Sequence, residues 1–152
     1  MADVSAPATV RLAASVLASI RREAARAYPH EGCGTLVGPA AGEVSETRPL
    51  PNVEQERPRT RFTIAPLDYM EAEEAAEARG LRLLGFWHSH PDHPARPSQT
   101  DREHAWAGLL TLVIAVDAGE PGEITAWDVP GPEAPFRRLE LQVVPSPPPG
   151  GL

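Results

Sequence analysis

The sequence predicts a single α/β domain in which helices pack on a mixed β-sheet. The chain has 152 residues, of which 41% are hydrophobic, and this combination suits one domain with an ordinary core. Segments with the periodicity of strands and of helices follow one another without an internal repeat. Their irregular order argues against a regular doubly wound fold, in which strands and helices alternate throughout.

Three segments carry helix patterns, at residues 14–28, 66–79 and 98–107. In the first, Val16, Ile20 and Ala24 recur at helical spacing and predict one apolar face. The second begins at Pro66, is rich in alanine and glutamate, and is followed by Gly80, which suits the position just after a helix.

Short apolar runs bounded by turn residues predict the strands. They lie at 10–12, 33–37, 43–49, 61–64, 81–90, 109–116, 123–129 and 136–144. A hairpin through residues 40–42 is expected to join the second and third strands. Residues 52–61 are polar and charged, and predict a mobile loop. The domain is expected to span residues 1–144, and the proline- and glycine-rich residues 145–152 to form a disordered tail.

The composition excludes several functional classes. A net charge of −7 argues against binding to nucleic acid or to anionic membranes. The single cysteine, Cys33, excludes an internal disulfide framework and a cysteine-rich zinc site. The N-terminus lacks the pattern of a signal peptide, and the longest apolar stretch, at 109–116, has only the length of a strand. We therefore expect a cytoplasmic protein that binds neither nucleic acid nor membrane.

The segment GFWHSHPDHPARPSQTD is the most informative about function, because it contains the pattern H-S-H-x₇-S-x-x-D. His88 and His90 are two residues apart, so on a strand their side chains project from the same face. Asp101 follows a loop with three prolines, which restrict the chain and reduce the entropy lost when the loop closes. Two imidazoles and one carboxylate suit zinc, and three protein ligands leave the open position that a catalytic zinc requires.

Each half of this pattern also has a simpler interpretation. Ser98 and Asp101 form an S-x-x-D sequence, which is typical of a capping box at the start of a helix. His88 and His90 could be solvated residues of an exposed strand. Capping does not exclude metal binding, because a capped turn also determines where Asp101 points. The conjunction of both halves favours a metal site.

The pattern H-S-H-x₇-S-x-x-D, together with the upstream segment YPHEGCGTLVG, resembles the motif of the JAMM (MPN-plus, or JAB) zinc metalloproteases of the short prokaryotic type. The likeness extends from about Val10 to about Val129. It implies a curved mixed β-sheet flanked by helices, the cytidine-deaminase-like fold of JAMM/MPN domains.

The resemblance also implies a role for each residue of the motif. His88, His90 and Asp101 would ligate one Zn²⁺ ion. Glu31 would be the catalytic acid/base, and Ser98 would assist the oxyanion. The implied reaction is hydrolysis of a peptide or isopeptide bond after the C-terminal Gly-Gly of a ubiquitin-like or sulfur-carrier protein, or of its conjugate. A non-catalytic MPN-type interaction module is the alternative.

Other residues near the motif leave alternatives open. Cys33 is either a buried small residue or a thiol nucleophile that uses a neighbouring histidine as its base. His93 and His104 are either solvent-facing residues or members of the site. Residues 52–61 are either a solvated loop or a clamp on the substrate.

Overall fold

A computed structural model describes residues 8–131 and 134–147, and this part of the chain forms eight strands and three helices. The strands are β1 (Thr9–Ala13), β2 (Cys33–Gly38), β3 (Glu43–Val44), β4 (Glu46–Leu50), β5 (Arg82–Pro91), β6 (Leu110–Asp117), β7 (Glu120–Asp128) and β8 (Arg137–Val144). The helices are α1 (Ala14–Ala27), α2 (Pro66–Ala78) and α3 (Gln99–His104).

The strands form one mixed sheet in the order β3-β1-β8-β7-β6-β5-β2-β4. β1 runs parallel to β3 and to β8, β5 runs parallel to β6, and the other neighbours are antiparallel. The two edge strands, β3 and β4, are separated in sequence by Ser45 alone. The sheet must therefore curve until its edges approach one another, which confirms the predicted curved mixed sheet.

Helix α1 packs on one face of the sheet and buries the predicted stripe of Val16, Ile20 and Ala24. Its first turn has no side-chain cap of its own. The backbone N–H of Ser15 instead donates to Ser146 Oγ at 2.8 Å, which satisfies one of the unpaired donors at the start of the helix. Of the predicted tail, residues 148–152 lie outside the described residues, and the domain boundary stays a prediction.

A second apolar cluster lies on the other face of the sheet. Phe86 belongs to this cluster, whereas its neighbour Trp87 packs in the cluster that contains α1, as expected for consecutive residues of a strand. Helix α2 contacts β5 on this side, and the helix ends as predicted, with Gly80 at a φ of 74°. Across the described residues, no helix has the apolar length needed to span a bilayer.

Three predicted elements differ from the structure. The strand expected at 43–49 is divided at Ser45, whose N–H donates to the carbonyl of Val37. The strand predicted at 61–64 is wrong, because the N–H of Thr63 bonds to the side chain of Asn52 rather than to a neighbouring strand. The third helix ends at His104, three residues earlier than predicted, since the backbone is already extended at Ala105.

Candidate metal centre

Strand β5 carries both histidines of the motif into the interior. His88 and His90 are only 1% and 5% exposed. Their side chains leave the same face of the strand, as the spacing of two residues predicts. Earlier in β5, a Cβ atom on Gly85 would lie 1.9 Å from the carbonyl oxygen of Leu110. Only glycine permits this close approach of β5 to β6 beneath the site.

Helix α3 brings Asp101 to the histidines through a capping box. The N–H of Asp101 donates to Ser98 Oγ at 3.1 Å, and the N–H of Ser98 donates to Asp101 Oδ2 at 2.8 Å. The capping interpretation of this pair is therefore confirmed. The same carboxylate oxygen faces both imidazoles, so capping and convergence on the histidines occur together.

Three donor atoms converge at this point. His88 Nε2 and His90 Nε2 are 3.2 Å apart, and Asp101 Oδ2 lies 3.1 Å from the first and 3.0 Å from the second. Tetrahedral ligands held about 2.0–2.1 Å from a zinc ion are separated by about 3.3 Å, so the donors have the spacing that zinc requires. Among the described residues no fourth histidine, cysteine or carboxylate joins the group.

The electrostatics of the group favour a cation between the donors. His90 Nδ1 lies 2.8 Å from the carbonyl oxygen of Pro94. This contact places a proton on Nδ1, so in the neutral imidazole the lone pair of Nε2 faces the carboxylate of Asp101. Burial acts to raise the pKa of Asp101, but His88 and His90 outweigh it and hold that pKa well below its ordinary range. With the rings neutral, the buried carboxylate and the ring lone pairs repel one another, and a cation bound between them, whether a proton or a metal ion, removes this repulsion.

The contacts around the imidazoles restrict their orientation. The ring of Phe62 stacks on that of His88, with centroids 4.6 Å apart. On the other side, Thr125 donates from Oγ1 to the carbonyl of Ala95 at 2.6 Å, and Ala95 adjoins the Pro94 carbonyl that contacts His90. Thr125 is 2% exposed. Such outer contacts fix the tautomer and the direction of a metal-binding histidine.

Glu31 enters the same cleft from the segment just before β2, the strand that pairs with β5. Cys33 of β2 pairs with His88, so continuation of this antiparallel register by two residues places Glu31 opposite His90. The register continues as far as Ser89, whose N–H donates to the carbonyl of Gly32 and whose Oγ accepts from the N–H of Gly32. The serine of the H-S-H pattern therefore joins the histidine strand to the segment that carries Glu31.

The carboxyl group of Glu31 is buried beside the metal centre. The residue is 4% exposed, and its Oε1 has no hydrogen-bond partner among the described residues. Burial, and to a smaller extent the charge of Asp101, raises the pKa of Glu31 to about 9. A cation held by the three donors would act in the opposite direction on this pKa. Glu31 is thus a carboxyl group whose proton affinity depends strongly on its surroundings, as a proton carrier requires.

Residues 13–130 match the family described as prokaryotic homologs of the JAB domain. The chain belongs to this family.

Two relatives of this JAB domain are named for their action on protein conjugates. The desampylase of Haloferax volcanii is 38% identical over 131 residues, which are 85% of this chain and 89% of the relative. A probable TtuB-protein conjugate cleaving protease of Thermus thermophilus is 40% identical over 102 residues, which are 67% of each chain.

Solved structures share the fold. A protein of Desulfitobacterium hafniense superposes with a TM-score of 0.78 at 26% identity, covering 90% of this chain and 93% of that one. A JAB1/MPN domain protein of Archaeoglobus fulgidus superposes with a TM-score of 0.60 at 20% identity, covering 91% of this chain and all of that one. The expected JAMM/MPN fold is thereby confirmed.

Two cavities open on the metal centre of this JAB domain from different sides. The first, of about 270 Å³, is lined by His88 and Asp101 together with the apolar residues Phe62, Ile64, Phe86, Trp106, Leu109 and Phe136. The second, of about 460 Å³, is lined by His90, Glu31 and Ser98. Arg61 and Thr100 line both cavities, so the two meet at the metal centre.

Asn52 ties the loop at 52–61 to Glu31. Its amide nitrogen donates to the carbonyls of Glu31 and Arg61, each at 3.0 Å. Its amide oxygen accepts from the backbone N–H of Glu54 and of Thr63, also at 3.0 Å. Asn52, at the start of the loop that was expected to be mobile, thus makes four hydrogen bonds through its side chain, two within the loop and two to residues outside it. The N–H of Glu31 also donates to a loop carbonyl, that of Pro58, at 2.7 Å.

Replacement of Asn52 by alanine is expected to lower the free energy of unfolding by at least about 2 kcal/mol, because four hydrogen bonds are lost and each contributes about 0.5–1.5 kcal/mol net. The freed loop is expected to be cut by trypsin after Arg59 or Arg61. Urea titration and limited digestion measure these effects. Asn52→Asp is the matched control, because it keeps both accepted bonds and should lose less. Wild-type stability and resistance in Asn52→Ala would contradict this role.

The structure also locates the three residues whose roles the sequence left open: Cys33, His93 and His104. Cys33 is buried, and its Sγ lies 3.5 Å from the carbonyl of Leu50. Burial, followed by the charges of Glu31 and Asp68, raises the pKa of the thiol to about 12. The structure therefore favours a protonated, structural thiol over a nucleophile. His93 and His104 are exposed at the rims of the second and first cavity, respectively, outside the group of metal donors.

Sequence reasoning did not find Asn52, Thr125 or Phe62. Asn52 follows a proline, and that pair signals only a turn. Thr125 lies in β7, where threonine is an ordinary strand residue. Their importance comes from contacts that reach up to 30 residues along the sequence, for which no local pattern exists.

Proposed function

We propose that this JAB domain is a zinc-dependent peptidase or isopeptidase that hydrolyses the amide bond after the C-terminal Gly-Gly of a ubiquitin-like or sulfur-carrier protein. The observation that carries the proposal is the convergence of His88, His90 and Asp101 beside a buried glutamate, Glu31, in an open cleft. The two relatives named for cleavage of protein conjugates support the substrate class.

His88, His90 and Asp101 are the proposed zinc ligands, and their donor set and spacing fit that ion. Zinc bound there would lower the pKa of a water molecule toward about 7 and polarise the scissile carbonyl. The protein holds the ligands in place through the Pro94 carbonyl and the stacked ring of Phe62.

Glu31 is the proposed acid/base. It accepts a proton from the attacking water and delivers it to the leaving nitrogen. Its burial excludes competing solvent, and its backbone is held on both sides by the Asn52 amide and the Pro58 carbonyl.

Ser98 is the proposed donor to the oxyanion. Its Oγ already accepts the N–H of Asp101, which orients the hydroxyl and leaves its own proton free to be donated. Loss of one such donor typically reduces the rate by about 10²–10³-fold. The single thiol, Cys33, is buried and stays reduced in the cytoplasm, where we place the reaction.

A panel of carrier proteins with C-terminal Gly-Gly, each fused to a short peptide, tests the proposal. We expect cleavage after the second glycine, complete loss of cleavage with a chelator, and recovery when zinc is added back. Treatment with iodoacetamide should leave the rate unchanged, because Cys33 is buried and its pKa is raised. Sensitivity to alkylation with indifference to the chelator would favour a cysteine hydrolase. Tight zinc binding without cleavage of any conjugate would favour a non-catalytic module.

A further inference from the structure

A buried threonine of β7, Thr125, lies level with the metal centre but two strands away from it. Thr125 pairs with Val113 of β6, and Val113 pairs with His88 of β5. Directly paired residues of neighbouring strands project from the same face of a sheet, so the Thr125 side chain lies on the face that carries His88 and His90. The loop that follows His90 returns over this face, where the Ala95 carbonyl accepts the proton of Thr125 Oγ1 at 2.6 Å.

The hydroxyl group of Thr125 is held in one orientation. Trp127 Nε1 donates to Thr125 Oγ1 at 2.8 Å, which uses the oxygen as an acceptor and directs the hydroxyl proton to the Ala95 carbonyl. Thr125 is 2% exposed and Ala95 is fully buried. Water therefore has no access to replace either bond, and loss of the hydroxyl group would leave a buried N–H and a buried carbonyl without partners.

The bond to Ala95 restricts the direction of the preceding carbonyl, that of Pro94. The two carbonyls flank Ala95, so with one of them fixed and the Ala95 side chain buried, the peptide group between Pro94 and Ala95 has little freedom to rotate. The Pro94 carbonyl accepts from His90 Nδ1 and from the N–H of Arg96, each at 2.8 Å. Because hydrogen bonds weaken steeply as their angle departs from linearity, rotation of this carbonyl would leave the buried Nδ1 proton without an acceptor.

We infer that Thr125 is a positioning residue for the metal centre, and that its hydroxyl group, acting through the Ala95 and Pro94 carbonyls, keeps His90 Nε2 directed at the metal. This inference rests on the proposed function for the identity of the ion. It goes beyond that function because Thr125 is not one of the three donors and does not line the two cavities that open on them. A ligating imidazole needs its proton on Nδ1 and its lone pair on Nε2, and the partner of Nδ1 fixes both the tautomer and the ring.

Thr125→Val tests the role of the hydroxyl group, because valine keeps the β-branched shape of the side chain and removes only the polar group. We expect the zinc affinity, measured by competition with a chromophoric chelator, to fall by about 10–100-fold, the usual effect of losing an outer partner of a metal-binding histidine. Thr125→Ser keeps the hydroxyl group and should restore most of the affinity. Wild-type zinc affinity in Thr125→Val would overturn the inference.

Thr35→Val is the matched control. Thr35 is also a buried threonine of a strand, at 3% exposed, and its hydroxyl group also makes two hydrogen bonds. These bonds join it to the backbone of Arg48 on the edge strand β4, accepting from the N–H at 3.1 Å and donating to the carbonyl at 3.4 Å. We expect Thr35→Val to lose stability and to keep its zinc affinity. Equal losses of affinity in Thr35→Val and Thr125→Val would reflect general destabilisation and would overturn the inference.

Exchange of the His90 ring proton with water reports on the Pro94 contact directly. In zinc-saturated protein with ¹⁵N-labelled histidine, the Nδ1 proton of His90 should exchange slowly, because it is buried and bonded to the Pro94 carbonyl. We expect Thr125→Val to accelerate this exchange by about two- to tenfold, the range for loss of one hydrogen bond, and Thr35→Val to leave it unchanged. Weaker zinc binding in Thr125→Val with unchanged exchange would overturn the route through the Pro94 carbonyl.

Both measurements use zinc alone, so they separate this inference from the proposed function. If the wild type cleaves no conjugate, but Thr125→Val loses zinc affinity and ring-proton protection, the proposed function fails and the positioning role stands. If conjugates are cleaved and Thr125→Val matches the wild type in both measurements, the positioning role fails alone. Should Thr125→Val not fold, Trp127→Phe takes its place, since it releases the Thr125 hydroxyl group to rotate. Faster exchange of the His90 proton in Trp127→Phe would then support the inference, and unchanged exchange would overturn it.

Discussion

Glu31→Gln is expected to lose about 10²–10⁴-fold in kcat while keeping its zinc. Glutamine has the size of glutamic acid but cannot carry a proton between the water and the leaving nitrogen, and proton transfer of this kind contributes a factor of that size. Glu31 is not among the three converging donors, so the metal should remain. Steady-state cleavage of a Gly-Gly conjugate and metal analysis of the same preparation measure the two effects.

The same substitution is expected to stabilise the metal-free protein. The pKa of Glu31 is raised in the folded state to about 9 from its ordinary 4.5. A raised carboxyl pKa contributes stability that is fully present below pH 4.5 and is lost as the pH rises toward 9, because ionisation then opposes burial. At pH 7.5 the neutral glutamine avoids this loss. We expect Glu31→Gln to be more stable by up to about 4 kcal/mol, because pH 7.5 lies three units above 4.5 and one pKa unit is equivalent to about 1.4 kcal/mol.

Urea unfolding of chelated protein between pH 5 and pH 9 measures this difference. The wild type should fall in stability relative to Glu31→Gln across that range. Glu140→Gln, at an exposed position of β8, is the control and should follow the wild type. Undiminished turnover in Glu31→Gln would remove Glu31 from the mechanism, and parallel pH curves would show that its carboxyl group is not desolvated.

Asp101→Asn is expected to lower zinc affinity by more than about 100-fold and to abolish hydrolysis with it. The amide keeps the size of the side chain and an oxygen that can accept the N–H of Ser98, so the capping of α3 should survive. The substitution removes the negatively charged carboxylate that faces both imidazoles. This carboxylate is one of the three proposed zinc ligands. Calorimetric titration with zinc measures the affinity, and circular dichroism measures the fold.

Ser98→Ala is the matched variant. It removes the cap oxygen, which should lower stability by about 1 kcal/mol, but leaves the three converging donors in place. Zinc affinity should therefore stay within a few-fold of the wild type, while kcat falls. Retention of wild-type zinc affinity in Asp101→Asn would exclude Asp101 as a ligand. A loss of zinc in both variants would indicate that the capping turn, rather than the carboxylate, determines binding.

The two halves of the metal-binding pattern were predictable because each follows a rule of local structure. The spacing of His88 and His90 follows from the two-residue period of a strand, and the S-x-x-D pattern follows from helix capping. Cys33, by contrast, had two interpretations in the sequence. Its burial and the raised pKa of its thiol, to about 12, separated them, and both properties come from neighbours on other segments.

Residues 61–64 show why one strand prediction failed. Their apolar and β-branched pattern suits a strand, but the N–H of Thr63 bonds to the side chain of Asn52, eleven residues earlier. The periodicity of apolar residues indicates which side chains are buried. It does not indicate which group will form hydrogen bonds with the backbone of the segment. A side-chain amide that satisfies several backbone groups can replace a neighbouring strand.

The sequence by itself determined the α/β class and most of the helices and strands, because these depend on short-range periodicity. It also predicted the five residues of the proposed site, where the roles of Glu31 and Ser98 followed from the family resemblance. Only the tertiary structure decided that Glu31 lies opposite His90, that Asn52 anchors the loop at 52–61, and that three arginines line the Glu31 side of the cleft. These features depend on strand register and on loop paths between segments distant in sequence. The free energy that selects one register and one loop path comes from packing and hydrogen bonds across the whole sheet. It therefore cannot be predicted from any short segment of the sequence.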